Sequence, residues 1–215
     1  MKTKSRREFL IGAGAVMPVA ATAALASESV PKKSAFIACP RATGGPNATH
    51  FPRTVVQDQH RRKSWFYQDL VRGKLVLISF TSVWGEKRYP ILNNLVEVQK
   101  MLGDRFEKDV FMYTFTTDPR RDGPDELKKL AEVHGARWRF FGGESDAVRE
   151  VLTSFNVRGR LNALTWIGNE QTGRWIRRPS RQRPLEIVEL VARLSTGDAH
   201  KPFLVDRHSV YRQPV

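Results

Sequence analysis

Two apolar periods alternate along the chain from residue 51 onward. The run from Lys74 to Ser82, KLVLISFTS, is almost continuously apolar, β-branched and aromatic, which predicts a strand buried on both faces. Asp109–Thr117, DVFMYTFTT, predicts a second strand, and Trp138–Phe141 a short third. Between the first two, Pro90–Arg105 sets Ile91, Leu92, Leu95, Val98, Met101 and Leu102 at helical spacing, with proline in the first turn. A helix follows from Pro124 to His134, stopped by Gly135, and another over Ser145–Phe155, with Ser145 placed as its N-cap. Asn162–Ile167 and Arg174–Arg177 pair as a β-hairpin across GNEQTG, and Pro184–Leu194 forms a last amphipathic helix. Upstream, Thr54–Gln57 reads as a short strand, Asp58–Lys63 as its turn, and Trp65–Val71 as a helical turn closed by Gly73.

Strands that alternate with helices pair in parallel through right-handed crossovers, and the late hairpin adds antiparallel strands. The expected fold class is therefore α/β, with a thioredoxin-like layout: a central mixed sheet flanked by helices and closed by a late hairpin. Open α/β sheets bind ligands outside the carboxyl ends of their strands. The loop Thr81–Tyr89, TSVWGEKRY, lies at such an end. The chain divides into residues 1–26, an arm or linker over 27–50, a domain over 51–196 and a polar tail over 197–215.

The N-terminal division carries its own signal. Ser5-Arg6-Arg7-Glu8-Phe9-Leu10 matches a twin-arginine export motif, an only mildly apolar stretch runs from Phe9 to Leu25, and Ala24-Leu25-Ala26 offers a cleavage pattern. The expectation is export to the periplasm by the Tat route. The alternative is a signal left in place as a membrane anchor, although the stretch is near the lower limit of a span. The net charge of +14 is strongly basic and points to an acidic partner surface, anionic lipid or nucleic acid. Export argues against nucleic acid, and the sequence carries no aromatic-rich nucleic-acid motif. The single cysteine, Cys39, excludes an internal disulfide and dithiol chemistry within one chain. Phe36-Ile37-Ala38-Cys39 resembles a lipoprotein box, but the polar Ser27–Ser34 separates it from the apolar stretch.

Several segments together resemble one family. FPRTVVQDQHRRKSWFYQDLVRGKLVLISF, NNLVEVQKMLGDRFEKDVFMYTFTTDP, the helix DELKKLAEVHG and the hairpin turn IGNE are similar to the Sco/SenC/PrrC proteins, over roughly Phe51–Leu194. That resemblance implies a thioredoxin fold and a role in assembling the copper sites of respiratory oxidases. It also implies a copper ion held by Cys-x-x-x-Cys-Pro at the first strand–helix junction and a His before the late hairpin, a soft sulfur and imidazole set that suits both copper valences. Anchoring on Pro90 and on Gly168-Asn169-Glu170 puts these ligand positions at Gly85, Tyr89 and Leu161, none of which is a ligand. No cysteine lies beyond residue 39 and no histidine between His134 and His200 to restore the set.

Cations crowd the same loops. Lys87 and Arg88 lie beside Trp84 and Tyr89; Arg158 and Arg160 flank Leu161; Arg174, Arg177, Arg178, Arg181 and Arg183 follow, and Glu170 is the only acid between Arg158 and Arg183. The expectation is a binding protein, not an enzyme, and without a cofactor. It would dock an acidic periplasmic or membrane-protein surface, such as a respiratory oxidase subunit, through Trp84, Lys87, Arg88, Tyr89, Arg158, Arg160, Arg174, Arg177 and Arg178. The free N–H groups at the start of the Pro90 helix would add to its pull on anions. One alternative is a copper-dependent or redox chaperone that completes its site with Cys39, His50, His134 or His208, or with partner ligands. Another is a module for anions or small molecules. Asp118-Pro119-Arg120-Arg121-Asp122 reads as a strand-to-helix turn and cap, not as a carboxylate pair.

Overall fold

The computed structural model describes residues 44–197, and the signal, Cys39, His200 and His208 lie outside them. The described chain begins with a short antiparallel pair, β1 (Val55–Asp58) and β2 (Lys63–Trp65), then a π-helical turn over Phe66–Val71. Next come β3 (Leu75–Thr81), α1 (Val83–Arg88), α2 (Leu92–Leu102), a 3-10 turn over Gly103–Arg105, and β4 (Val110–Thr116). The remainder is α3 (Pro124–His134), β5 (Arg139–Gly142), α4 (Ser145–Ser154), β6 (Leu164–Asn169), β7 (Arg174–Pro179) and α5 (Pro184–Ser195). The strands form one sheet in the order β2-β1-β5-β4-β3-β6-β7. β3, β4 and β5 are parallel, as strands joined through helices should be, while β1 and β6 run antiparallel to their neighbours.

β3 is buried at every position, which accounts for its unbroken apolar run. Its side chains alternate between two cores. Leu75 and Leu77 join Leu92, Leu95, Trp138, Ile167, Ile187 and Val191 under α2, α3 and α5. Val76, Ile78 and Phe80 join Phe66, Tyr67, Phe115, Phe141, Phe155 and Trp166 on the other face. That second face is markedly aromatic: Phe115 stacks on Phe141 at 4.9 Å and Phe80 meets Trp166 edge-on at 5.2 Å.

Several expectations change on the structure, among them Lys63–Trp65, read as turn and helix start but paired with β1 as β2. The segment Thr81–Tyr89 is half helix: Ser82 caps α1, its Oγ accepting from the Gly85 N–H at 2.9 Å. Ser145 is not a cap. It is the first helical residue of α4, and its predecessor Glu144 makes no capping bond.

Two buried carboxylates tie distant parts together. Asp58 takes N–H groups of His60 and Arg62 and the guanidinium of Arg139, each at 2.9 Å. Burial alone would raise its carboxyl, but these donors outweigh it and hold the group below its ordinary range. Glu170 accepts from the Tyr67 hydroxyl, the Asn47 backbone and side chain, and the Trp175 indole, at 2.9 to 3.1 Å. Asn47 belongs to the stretch expected as an arm, yet Glu170 fastens it to the hairpin turn.

The outer strand β7 ends in a proline that blunts its free edge. Ser180 donates to the Ala163 carbonyl at 2.6 Å, which by alternation turns Pro179, without an N–H, toward the free edge. The neighbouring Trp175 ring lies flat on Gly168, where an added Cβ would sit only 2.2 Å from an indole carbon. Gly168→Ala should therefore cost roughly 1–3 kcal/mol through overpacking. Thermal unfolding would measure it, and the cost should largely disappear in a Trp175→Leu background; an equal cost in both backgrounds would place its origin elsewhere.

Candidate functional site

At the carboxyl ends of β3 and β4, a chain of short polar side chains replaces the apolar core. Thr116 donates to Asp122 at 2.6 Å, and the Val83 N–H donates to the same carboxylate oxygen at 3.1 Å. The Asp118 N–H donates to Thr116 Oγ1 at 3.0 Å. Thr117 Oγ1 donates to the Arg160 carbonyl at 2.8 Å, which holds the Arg158–Leu161 loop against the end of β4. The two loops meet directly. A Cβ at Gly85 would stand 3.1 Å from the Arg160 carbonyl oxygen and 2.9 Å from Ser82 Oγ. The facing of these loops is as expected from sequence, and Gly85 lies at their contact.

Glu86, the residue after Gly85, points inward and is buried. Its Oε1 accepts the N–H groups of Ile91 and Leu92, each at 2.8 Å, and its Oε2 accepts from Thr81 Oγ1 at 3.3 Å. The start of α2 is thus occupied by an anion of the chain itself. This corrects the expectation that its N–H groups are free for an external anion. Desolvation raises the Glu86 carboxyl above its ordinary 4.5, against the lowering effect of the two N–H groups. Asp122 is likewise raised above 3.8 by desolvation. The 118–122 segment is a turn, with Arg121 and Asp122 N–H groups donating to the Asp118 carbonyl. The cap reading fails, because Gly123 caps α3 and the Asp122 side chain reaches across to Val83 instead.

The expected cationic residues are not one cluster. Arg160 pairs with the largely buried Asp118 at 3.3 Å, which neutralises part of its field. Lys87, Arg88 and Arg158 are exposed and, among the described residues, form no ion pair. Arg88 lies over the Trp84 ring at 5.7 Å, and Arg181, absent from the expected set, lies over Tyr89 at 5.1 Å. Trp84 and Leu161 are 41% and 50% exposed, so an aromatic and an aliphatic side chain stand in water beside these cations.

Strand alternation divides the arginines of β7. Arg177 shares a face with Trp175, while Arg174 and Arg178 lie on the other face with Ile176. Arg174 pairs with Asn169, which pairs with Leu75 at the far end of β3, roughly 20 Å along the strand from Thr81. Its guanidinium donates to the Thr196 carbonyl at 2.6 Å. Arg174 is therefore outside the site.

The residues present do not fit copper. Gly85 has no side chain, Tyr89 offers a phenol stacked under Arg181, and Leu161 is apolar. Among the described residues no three His, Cys, Asp or Glu side chains converge to hold a metal. His50 bonds the Ser154 carbonyl beside α4, and His134 meets Asn93 of α2, so they stand on opposite faces of the sheet. Cys39 and His208 fall outside the described residues.

Residues 68–171 match the SCO1/SenC family model. It is this family that the segment from β3 to β6 resembles. Solved structures of Sco proteins share its fold. Bradyrhizobium japonicum ScoI with copper bound is 20% identical, with 67% of this chain and 98% of that one covered at a TM-score of 0.56. Yeast Sco1 with copper bound is 17% identical, with 76% and 96% covered at 0.53. BsSco, described as a Sco family member with a disulfide switch, is 20% identical, with 66% and 91% covered at 0.55. No curated protein matches the sequence. Within this SCO1/SenC-like segment, sequence reasoning missed α1, Glu86 and Asp122. Ser82 just before VWGEKR was an available N-cap signal, but an inward-facing Glu on a short helix leaves no periodic trace.

Raised carboxyls predict a pH dependence of definite sign. The folded protein holds the Glu86 proton more tightly than the unfolded chain, so this group's contribution falls as pH rises from about 4.5 through its folded value. Glu86→Gln removes that slope. The variant's melting temperature minus the wild type's should grow from pH 4.5 to pH 8 in a calorimetric series. A constant or shrinking difference would contradict a carboxyl strained by burial.

Proposed function

We propose that this SCO1/SenC-like protein is an exported accessory factor for assembly of a respiratory copper enzyme, and that it acts by docking an acidic partner rather than by carrying metal or exchanging thiols. The relative BsSco is described as belonging to a family of cytochrome c oxidase assembly proteins, which supports the choice of process. The twin-arginine motif supports export to the periplasm. The observation that carries the docking reading is the exposed surface over the degenerate loop: Trp84 under Arg88, Lys87, Tyr89 under Arg181, Arg158 and Leu161.

Such a surface has the composition of an interface core with a charged rim. Trp84 and Leu161 supply apolar area that is lost from water on contact, and tryptophan beside arginine is a frequent energetic centre. Unpaired Lys87, Arg88 and Arg158 steer an acidic partner and set its orientation. Beneath them, Glu86, Asp122 and the threonines hold the loop in one conformation, so that little ordering cost remains on binding. An anion held at this loop loses support, because Glu86 already occupies the N–H groups it would use.

Two measurements separate docking from copper carriage. Purified mature protein in a chelator competition should retain no stoichiometric Cu(I) or Cu(II); one tightly held equivalent, lost on changing Tyr89 or Arg158, would refute the reading. The triple reversal Lys87→Glu, Arg88→Glu and Arg158→Glu should weaken capture of an oxidase-type subunit from solubilised membranes by roughly 10- to 100-fold, with folding unchanged. Capture insensitive both to these charges and to salt would rule out this surface.

A further inference from the structure

Among the described residues the two faces of the sheet are unequally covered. α2, α3 and α5 pack one face, whereas the other carries α4, the π-helical turn and the Gly45–Phe51 segment. At the β6–β7 end of the sheet a groove of about 660 Å³ runs from that face around the β7 edge to Arg174, Ile176 and Leu194. This lies within the ~300–1,000 Å³ typical of small-molecule sites. It is separate from the surface over the degenerate loop and shares none of the docking residues that carry the function proposed above.

Its walls are aromatic. Phe51 lies 5.0 Å from Trp175 and 5.5 Å from Phe155, and Phe155 lies 5.7 Å from Trp166, ring centre to ring centre. These rings are fixed rather than adaptable. Trp175 rests on Gly168 and donates its indole N–H to Glu170, and Phe51, Phe155 and Trp166 are buried. Of the four rings Trp175 is the part-exposed one, so a planar group lies against its face and the edges of the others at low entropic cost.

The rim supplies charge and polarity. Arg177 alternates onto this same face, is exposed, and forms no ion pair among the described residues. Arg174, by contrast, spends a donor on the Thr196 carbonyl. Asn156 ends α4 in the left-handed conformation, with φ +53, where glycine is the usual residue. Asparagine tolerates that conformation while keeping an amide at the groove's mouth. A guanidinium with five donors and no partner matches a carboxylate or similar oxyanion.

We propose that this groove binds a planar aromatic anion, its ring against Trp175 and the rims of Phe51, Phe155 and Trp166 and its acidic group on Arg177. The ligand is set by two independent features, the fixed rings and the unpaired arginine, so each can be removed separately. Titration calorimetry of the mature protein with naphthalene-2-carboxylate should show one saturable site. The neutral 2-naphthylmethanol and the non-planar cyclohexanecarboxylate should each bind at least about 10-fold more weakly.

Arg177→Gln is an exposed change and should leave the melting temperature in place. It should reduce naphthalene-2-carboxylate to the affinity of the alcohol and leave the alcohol unchanged. In a two-dimensional NMR titration the indole N–H signals of Trp166 and Trp175 should move with the ligand. No saturation by millimolar naphthalene-2-carboxylate, equal binding by Arg177→Gln, or cyclohexanecarboxylate binding as tightly as the aromatic acid would overturn the proposal.

Discussion

A single carboxylate decides what the degenerate loop has become. Glu86 turns inward and accepts the first N–H groups of α2, bonding Ile91 and Leu92. Those groups would otherwise be unsatisfied donors at a helix end. By taking them, Glu86 anchors α1 against α2 and satisfies from within the positive end that would draw an anion from outside. The loop then shows the solvent its other face, Trp84, Lys87 and Arg88. Under the proposed reading, the inward carboxylate and the outward aromatic and cationic side chains make this loop a surface for contact rather than for coordination.

The same logic extends to the opposing loop. Arg160 presents its carbonyl to Thr117 and its guanidinium to Asp118, so it fastens its own loop to the end of β4 more than it decorates the exterior. Gly85 sits at the closest approach, where even a Cβ would press on the Arg160 carbonyl. Polar groups buried this densely persist because nearly every one has a partner. The network therefore supplies rigidity at the site, and the unpaired cations around it remain available for recognition.

How much of this was legible in the sequence depended on periodicity. β3, β4, α2, α3 and α5 were readable because apolar side chains repeat with the period of their element, and α3 ended at Gly135 as its composition indicates. The facing of the Gly85 and Arg160 loops followed from the family layout. Sequence counting failed where partners lie far apart. Glu86 and Asp122 carry no pattern, since one bonds across a proline and the other across the sheet's end. The arginine run between 158 and 183 looked like one patch, but strand alternation and a hairpin scattered it, sending Arg174 to the opposite end of the sheet. Its only acid, Glu170, is buried in hydrogen bonds to neutral groups, so it does little to mask the surface.

The inward carboxylate is the feature on which the loop's conformation depends. The most direct measurement is an NMR titration following the Glu86 side-chain carboxyl carbon together with the Ile91 and Leu92 amide signals. The account predicts one shared midpoint above 4.5, with both amides moving as the proton binds. A midpoint in the ordinary range of an exposed glutamate, with the two amides unmoved, would mean that Glu86 faces water and that the loop is not built as described.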